Sequence, residues 1–156
     1  MISNRTVLYG MVERPGRPFP HSSGWRHEST EALTGKILIA EDDYFVGTTI
    51  EQALLDAGHE VIAVVRTGEE AVRESIRLRP DLVLMDIRLA GEMTGIDAAL
   101  ALRAEGITSL FASAHSDAAT RSAGDKAKPA GWVTKPFSDF EIVSAVAAAL
   151  SQMTGH

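Results

Sequence analysis

Five short apolar runs, each followed by a stretch with helical periodicity, constrain the fold of this chain more than any other feature. The runs are KILIAE, EVIAVV, DLVLMD, TSLFAS and GWVT, at residues 36–41, 60–65, 81–86, 108–113 and 131–134. Most of them are continuously apolar, which is typical of strands covered on both faces. Strands that alternate with helices in this way predict an α/β fold, a doubly wound five-stranded parallel sheet.

The segments between the runs carry helix-capping residues. We expect the first helix to end at Gly58, because glycine accepts the left-handed conformation that follows many helices. Thr67 with Glu70, and Ser138 with Glu141, have the spacing of capping boxes for the second and fifth helices. The fourth segment offers only alanines as an apolar face and contains a glycine and a proline. It predicts a short, mobile fourth helix.

The first 35 residues break this pattern. The segment RPGRPFPHSSG holds three of the six prolines, and no helical or strand period crosses it. We therefore expect residues 1–35 to form a mostly irregular, flexible arm and residues 36–151 to form the folded domain. Residues 152–156 should form a short tail.

Composition disfavours several classes of function. The net charge of −6 disfavours nucleic acid as a partner, because that binding depends on clustered lysine and arginine. The chain has no cysteine and therefore no disulfide or thiolate metal site. No apolar run approaches the roughly 20 residues of a membrane helix, and no signal peptide is evident. We expect a cytoplasmic protein that contacts neither membrane nor nucleic acid.

Charged and hydroxyl side chains stand at or directly after the ends of four of the five predicted strands. They are Glu41, Asp42, Asp43, Asp86, Ser113, Thr134 and Lys135. In an open parallel sheet, ligands bind beyond the carboxyl ends of the strands, so these side chains should converge on one edge.

Such an edge has a definite chemistry. Clustered carboxylates cannot all remain ionised at low cost unless a cation joins them, and oxygen ligands without sulfur favour Mg²⁺. A lysine opposite would balance a phosphoryl group, and a carboxylate can act as its acceptor. Asp42 and Asp43 could instead cap the first helix. We assign the cap to Asp43 and a metal role to Asp42.

The motifs ILIAEDD, LVLMDIRL, FASAH and GWVTKPF, in this order and at these spacings, resemble the receiver domain of two-component response regulators. The resemblance covers about residues 36–150. It implies a flavodoxin-like fold with strand order 2-1-3-4-5. It also implies that a histidine kinase phosphorylates Asp86, and that Mg²⁺ binds Asp42, Asp86 and the backbone carbonyl of Arg88, with Glu41 supporting the metal through water.

The resemblance further implies roles on the other side of the site. Ser113 would donate a hydrogen bond to the phosphoryl group, and Lys135 would pair with it. The family uses a cis bond between Lys135 and Pro136. Trp132 takes the place of an aromatic residue that turns inward on phosphorylation, although a tryptophan there could equally cover apolar surface.

This chain departs from the family between Asp86 and Gly95. Ala90 stands where the family commonly has proline, and the loop is one residue longer than usual. We expect the shape of this loop to differ, but not the carboxylate cluster.

The sequence favours a phosphoacceptor rather than an enzyme. Because the chain ends at His156, soon after the fifth helix, we expect a stand-alone receiver that signals through contact with another protein. Its partners would be a sensor histidine kinase or a histidine phosphotransfer protein, an unknown downstream protein, and a possible second copy in a homodimer. Alternatives are a phosphate shuttle or sink and, less favoured, a small Mg²⁺-dependent phosphohydrolase. The phosphohydrolase lacks support because Arg88 stands where a second acid is expected.

Overall fold

The structure, a computed structural model, describes residues 33–114 and 117–155. Its parallel sheet has the order β2-β1-β3-β4-β5, which confirms the predicted topology. The strands are β1 Lys36–Ala40, β2 Glu60–Val65, β3 Leu82–Met85, β4 Ser109–Ser113 and β5 Trp132–Thr134. The arm predicted for residues 1–35 lies almost wholly outside the described residues.

Five helices connect and cover the strands. They are α1 Tyr44–Asp56, α2 Gly68–Leu78, α3 Gly95–Ala104, α4 Ala118–Asp125 and α5 Asp139–Thr154. The fourth spans eight residues, as short as expected. α5 continues to Thr154, so the tail expected at residues 152–156 begins with the last residues of this helix. None of the described helices combines the length and apolar character that a membrane span requires.

Two apolar layers sandwich the sheet, because successive side chains of a strand point to opposite faces. On one face, Ile37 and Ile39 of β1 pack in a cluster with residues of α1 and α5. On the other face, Leu38 and Ala40 pack in a cluster with residues of α2 and α3. All four residues of β3 are buried. The continuous apolar run before Asp86 is therefore the central strand of a sheet covered on both sides.

Most of the predicted helix ends are confirmed. Gly58 has a φ of +92°, and the capping box of Ser138 and Glu141 is complete. At the second helix the Thr67 hydroxyl accepts a hydrogen bond from the Glu70 amide at 3.1 Å. The Glu70 carboxylate, however, accepts from the amide of Arg66 rather than from that of Thr67. This box is therefore only half formed.

Candidate functional site

Three acids meet at the carboxyl edge of the sheet. β1 and β3 are neighbours, and their last residues, Ala40 and Met85, lie side by side. Glu41 and Asp42 follow β1, and Asp86 follows β3. One carboxylate oxygen of each of these three acids lies within 4.8 Å of those of the other two. Adjacent strand ends thus place three carboxylates around one point.

Lys135, the residue after β5, reaches this cluster across the end of β4. Its backbone amide donates to the Ser113 carbonyl at 3.0 Å, which extends the pairing of β5 with β4 by one residue. Its Nζ donates to Glu41 Oε2 at 2.5 Å and to Asp86 Oδ2 at 2.7 Å. The peptide bond between Lys135 and Pro136 is cis, as the resemblance implied. One lysine therefore joins the ends of β1 and β3.

The charges of this cluster are unequally compensated. Glu41 is 3% exposed and Asp86 is 7% exposed. Burial raises the pKa of Glu41 to about 7, despite its hydrogen bond to Lys135. Burial also opposes the charge on Lys135, but hydrogen bonds to Asp86 and Glu41 outweigh it and raise the pKa of Lys135 above its ordinary value. One ammonium faces two buried carboxylates, and burial makes Glu41 take up a proton near neutral pH.

The three consecutive acids after β1 have different surroundings. Asp43 caps α1, as predicted, because its Oδ1 accepts from the amides of Phe45 at 2.9 Å and Val46 at 3.1 Å. Its own amide donates to Glu41 Oε1 at 3.1 Å. Glu41 is buried against Lys135 and Asp42 is half-buried, and both belong to the acid cluster with Asp86.

An open cleft of about 380 Å³ lies over the cluster. Besides the three acids and Lys135, its lining includes Arg88 and Ser113. Ser113 ends β4 and is buried. Thr134, its partner on β5, is exposed. Of the seven residues to which the resemblance assigns a role, the structure therefore brings six to one cleft: Glu41, Asp42, Asp86, Arg88, Ser113 and Lys135.

Trp132, the seventh, lies against α4. Its ring centroid is 4.6 Å from that of Phe111, and its Nε1 donates to Asp125 Oδ1 at 3.0 Å. The guanidinium of Arg121 lies 4.9 Å from the centroid of the indole. A Cβ on Gly124 would come within 2.5 Å of the indole. In this structure Trp132 both covers apolar surface and ties β5 to α4.

Sequence reasoning missed the role of Gly95. A Cβ built on Gly95 would lie 1.8 Å from the carbonyl oxygen of Asp86, and the Gly95 amide donates to the Ile87 carbonyl at 2.8 Å. Only glycine lets the start of α3 come this close to the backbone of Asp86. Thr94 and Asp97 form a capping box at the same helix start, and their spacing could have revealed it.

The fold and the cleft define a doubly wound parallel sheet with an acid cluster and a lysine at its carboxyl edge. A family model described as "Response regulator receiver domain" matches residues 37–147. The chain belongs to the response regulator receiver domain family of two-component signalling, as the sequence motifs indicated.

Several known proteins are similar to it. The protein-glutamate methylesterase/protein-glutamine glutaminase of Haloarcula marismortui is 38% identical over 135 residues, covering 77% of this chain and 36% of the relative. The phyllosphere-induced regulator PhyR of Methylorubrum extorquens is 33% identical over 120 residues, covering 76% of this chain and 44% of the relative. The solved signal receiver domain of a modulated diguanylate cyclase from Desulfovibrio desulfuricans G20 has a TM-score of 0.72 and 30% identity, covering 77% of this chain and 96% of that one.

The curated relatives are longer than the matched region. The chain spans 36% to 61% of the lengths of the first ones it matches. The similarity therefore concerns the receiver domain and not the remaining length of those proteins.

Gly95→Ala should destabilise the protein, because the added methyl group meets backbone atoms that cannot rotate away. We expect the free energy of unfolding to fall by about 2–3 kcal/mol, measured by urea denaturation. Gly47→Ala is the matched control. Its Cβ would make only ordinary contacts, 3.5 Å or more away, inside α1, so it should be neutral or stabilising. Equal stability of Gly95→Ala and the wild type would contradict the close approach.

Glu41→Gln should change how stability depends on pH in metal-free protein. The pKa of about 7 in the folded state exceeds the ordinary 4.5, so the folded state binds the extra proton. Stability contributed by Glu41 is therefore lost as pH rises from 4.5 towards 7. Between pH 5 and pH 8 we expect the wild type to lose about 2 kcal/mol relative to Glu41→Gln, measured by urea denaturation in EDTA. Parallel pH curves for the two proteins would rule this out.

Proposed function

We propose that this protein is a receiver that accepts a phosphoryl group on Asp86 from a histidine donor, with Mg²⁺, and signals through protein contact. The observation that carries the proposal is the position of Asp86. It is buried at the end of the central strand, with Oδ2 2.7 Å from Lys135 Nζ and its carboxylate beside those of Glu41 and Asp42. Membership of the receiver family supports the same role.

The transfer itself requires little from the protein beyond position and charge. A carboxylate oxygen of Asp86 attacks the phosphorus, the bond from phosphorus to the donor's imidazole nitrogen breaks, and the imidazole leaves. Asp86 suits this role because both of its oxygens are held: Oδ1 accepts from the Arg88 amide at 3.2 Å, and Oδ2 accepts from Lys135. The carboxylate is thus fixed in orientation before the donor arrives.

The donor set at this cleft fits Mg²⁺. Its candidate ligands are carboxylate and carbonyl oxygens, and one ammonium cannot balance three acids. Asp42, Asp86 and the carbonyl of Arg88 would hold the ion, with Glu41 acting through water. When bound, the ion would neutralise charge on the phosphoryl oxygens.

Lys135 and Ser113 would then hold the phosphoryl group. The ammonium of Lys135 already donates to Asp86, so a phosphoryl oxygen on Asp86 offers it a new acceptor of higher charge. Ser113 ends the neighbouring strand and lines the same cleft, where its hydroxyl can donate to a second oxygen. The contacts of Lys135 and Ser113 would therefore differ between the phosphorylated and the unphosphorylated protein.

Trp132 offers a route from the cleft to α4. Ser113 ends β4 opposite Thr134, and two residues earlier Phe111 lies opposite Trp132. A shift of Ser113 towards a phosphoryl group would move β4 against β5, and the contacts of Trp132 with α4 would change in turn. We propose this as the switch, since α4 is short and packs against that indole.

The surface beside the cleft suits an incoming helical donor. An open groove of about 460 Å³ separates the start of α1 from the segment after β5, and apolar side chains line most of it. At its rim Phe45 is 79% exposed, and the neighbouring Tyr44 is 75% exposed. A sensor histidine kinase or a histidine phosphotransfer protein that docks an apolar helix face there would bring its histidine over Lys135 and Asp86. A downstream protein or a second copy of the chain would read the switched surface.

Asp86→Asn should abolish labelling by acetyl phosphate with Mg²⁺ while the fold survives, because the amide cannot accept the phosphoryl group. Intact-protein mass spectrometry would measure the added mass. Asp43→Asn is the matched control: it alters an acid of the same edge, but asparagine caps a helix as well as aspartate does. It should label like the wild type. Stoichiometric labelling of Asp86→Asn would refute the assignment of Asp86.

Asp42→Asn should weaken Mg²⁺ binding at least about tenfold, because it removes a direct anionic ligand. Isothermal titration calorimetry would measure the affinity, and Asp43→Asn again serves as the control. An unchanged affinity in Asp42→Asn would show that Asp42 is not a ligand.

A further inference from the structure

The loop between β3 and α3, residues 86–94, is hydrogen-bonded to residues 66–70, which lead from β2 into the first turn of α2. The Ala90 amide donates to the Arg66 carbonyl at 3.1 Å, and Ala90 forms an isolated parallel bridge with Thr67. The Met93 amide donates to Glu69 Oε1 at 2.9 Å. The middle of the loop is thus held by residues more than 20 positions earlier in the chain.

Glu69 supplies the side-chain hydrogen bond between these two segments. Its Oε1 faces the Met93 amide, and its Oε2 lies against Gly91, where an added Cβ would be 2.9 Å away. Its pKa is lowered by its own backbone amide and by those of Met93 and Glu92. Gly68 adds to the close fit, because a Cβ there would come within 2.8 Å of the Met93 carbonyl oxygen. Glu69 and Gly68, at the start of α2, therefore both lie in close contact with the loop.

The same loop carries residues of the cleft. It begins at Asp86, whose Oδ1 accepts from the Arg88 amide at 3.2 Å, and Gly95 anchors its far end against the Asp86 carbonyl. Between these anchors the loop contains Gly91, at a φ of +84°, and no proline. Such a segment has many accessible conformations, so contacts from outside must select one.

We propose that Glu69 is a positioning residue for the cleft. By accepting from the Met93 amide it holds the loop in the conformation that presents the Arg88 carbonyl to Mg²⁺, and so sets the metal affinity without touching the metal. This inference rests on the proposed function, in which the Arg88 carbonyl is a ligand. Residues that orient a metal ligand commonly matter nearly as much as the ligand itself.

Three variants distinguish a positioning role of Glu69 from a general effect of its negative charge on Mg²⁺ binding. Glu69→Ala removes the acceptor, and we expect it to weaken Mg²⁺ binding roughly fivefold to tenfold. Glu69→Gln keeps an oxygen that can accept from the Met93 amide, so its affinity should return to within about twofold of the wild type. Glu74→Ala removes the same charge from the same helix at a residue paired with Arg73 and Arg77. It should leave the affinity unchanged.

Two measurements on the full chain test the proposal. Isothermal titration calorimetry with MgCl₂ gives the affinity of each variant. Hydrogen exchange of the metal-free protein gives the opening of the loop, and the Met93 amide should exchange faster in Glu69→Ala than in Glu69→Gln. The global free energy of unfolding should change little, because Glu69 is an exposed residue.

Two outcomes would contradict the positioning role of Glu69. If Glu69→Ala frees the Met93 amide but binds Mg²⁺ as the wild type does, the contact only stabilises the loop and the positioning role is wrong. If Glu69→Gln and Glu74→Ala are weakened as much as Glu69→Ala, net charge explains the effect and the role is again wrong. A wild type that binds Mg²⁺ and labels on Asp86 keeps the proposed function intact in both cases. A wild type that does neither overturns the proposed function and this inference together.

Discussion

A single half-buried ammonium shared by two carboxylates organises the carboxyl edge of this sheet. Lys135 crosses the end of β4 to reach Glu41 after β1 and Asp86 after β3, at 2.5 and 2.7 Å. Because both acids are almost fully buried, the protein cannot leave them uncompensated, yet one lysine does not neutralise two acids and Asp42 beside them. Lys135 offsets part of the negative charge of the acids, and the rest remains uncompensated. An excess of negative charge of this kind favours the binding of a divalent cation.

The rest of the molecule holds this cluster in place from two directions. The apolar strand β3 fixes the backbone of Asp86 from below, and Gly95 closes α3 onto its carbonyl from the side. Beyond them, Glu69 and the Arg66 carbonyl hold the loop that bears Arg88. The site is thus built from rigid strand ends and one loop that needs external contacts to keep its shape.

Much of the fold was predictable because its signals are local. Short apolar runs marked all five strands to within one residue at each end, and the box of Ser138 and Glu141 marked the start of α5. The half-formed box at Thr67 shows where local reasoning stops: the spacing predicts that the Glu70 carboxylate accepts from the Thr67 amide, but it accepts from the Arg66 amide instead. Local spacing permits a capping contact, whereas the surrounding chain decides whether it forms.

The sequence by itself determined that acids, a hydroxyl and a lysine follow the strands, and hence that they meet at one edge, because strand ends in a parallel sheet converge. Apart from the helix cap at Asp43, which the sequence predicted, only the tertiary structure decided the surroundings of each side chain. Three consecutive acids became a buried partner of Lys135, a member of the acid cluster and a helix cap. It also decided that Trp132 meets α4 and that Glu69 reaches Met93, 24 residues away. Burial and partners across such distances depend on how helices and strands pack, and no local pattern in the chain encodes them.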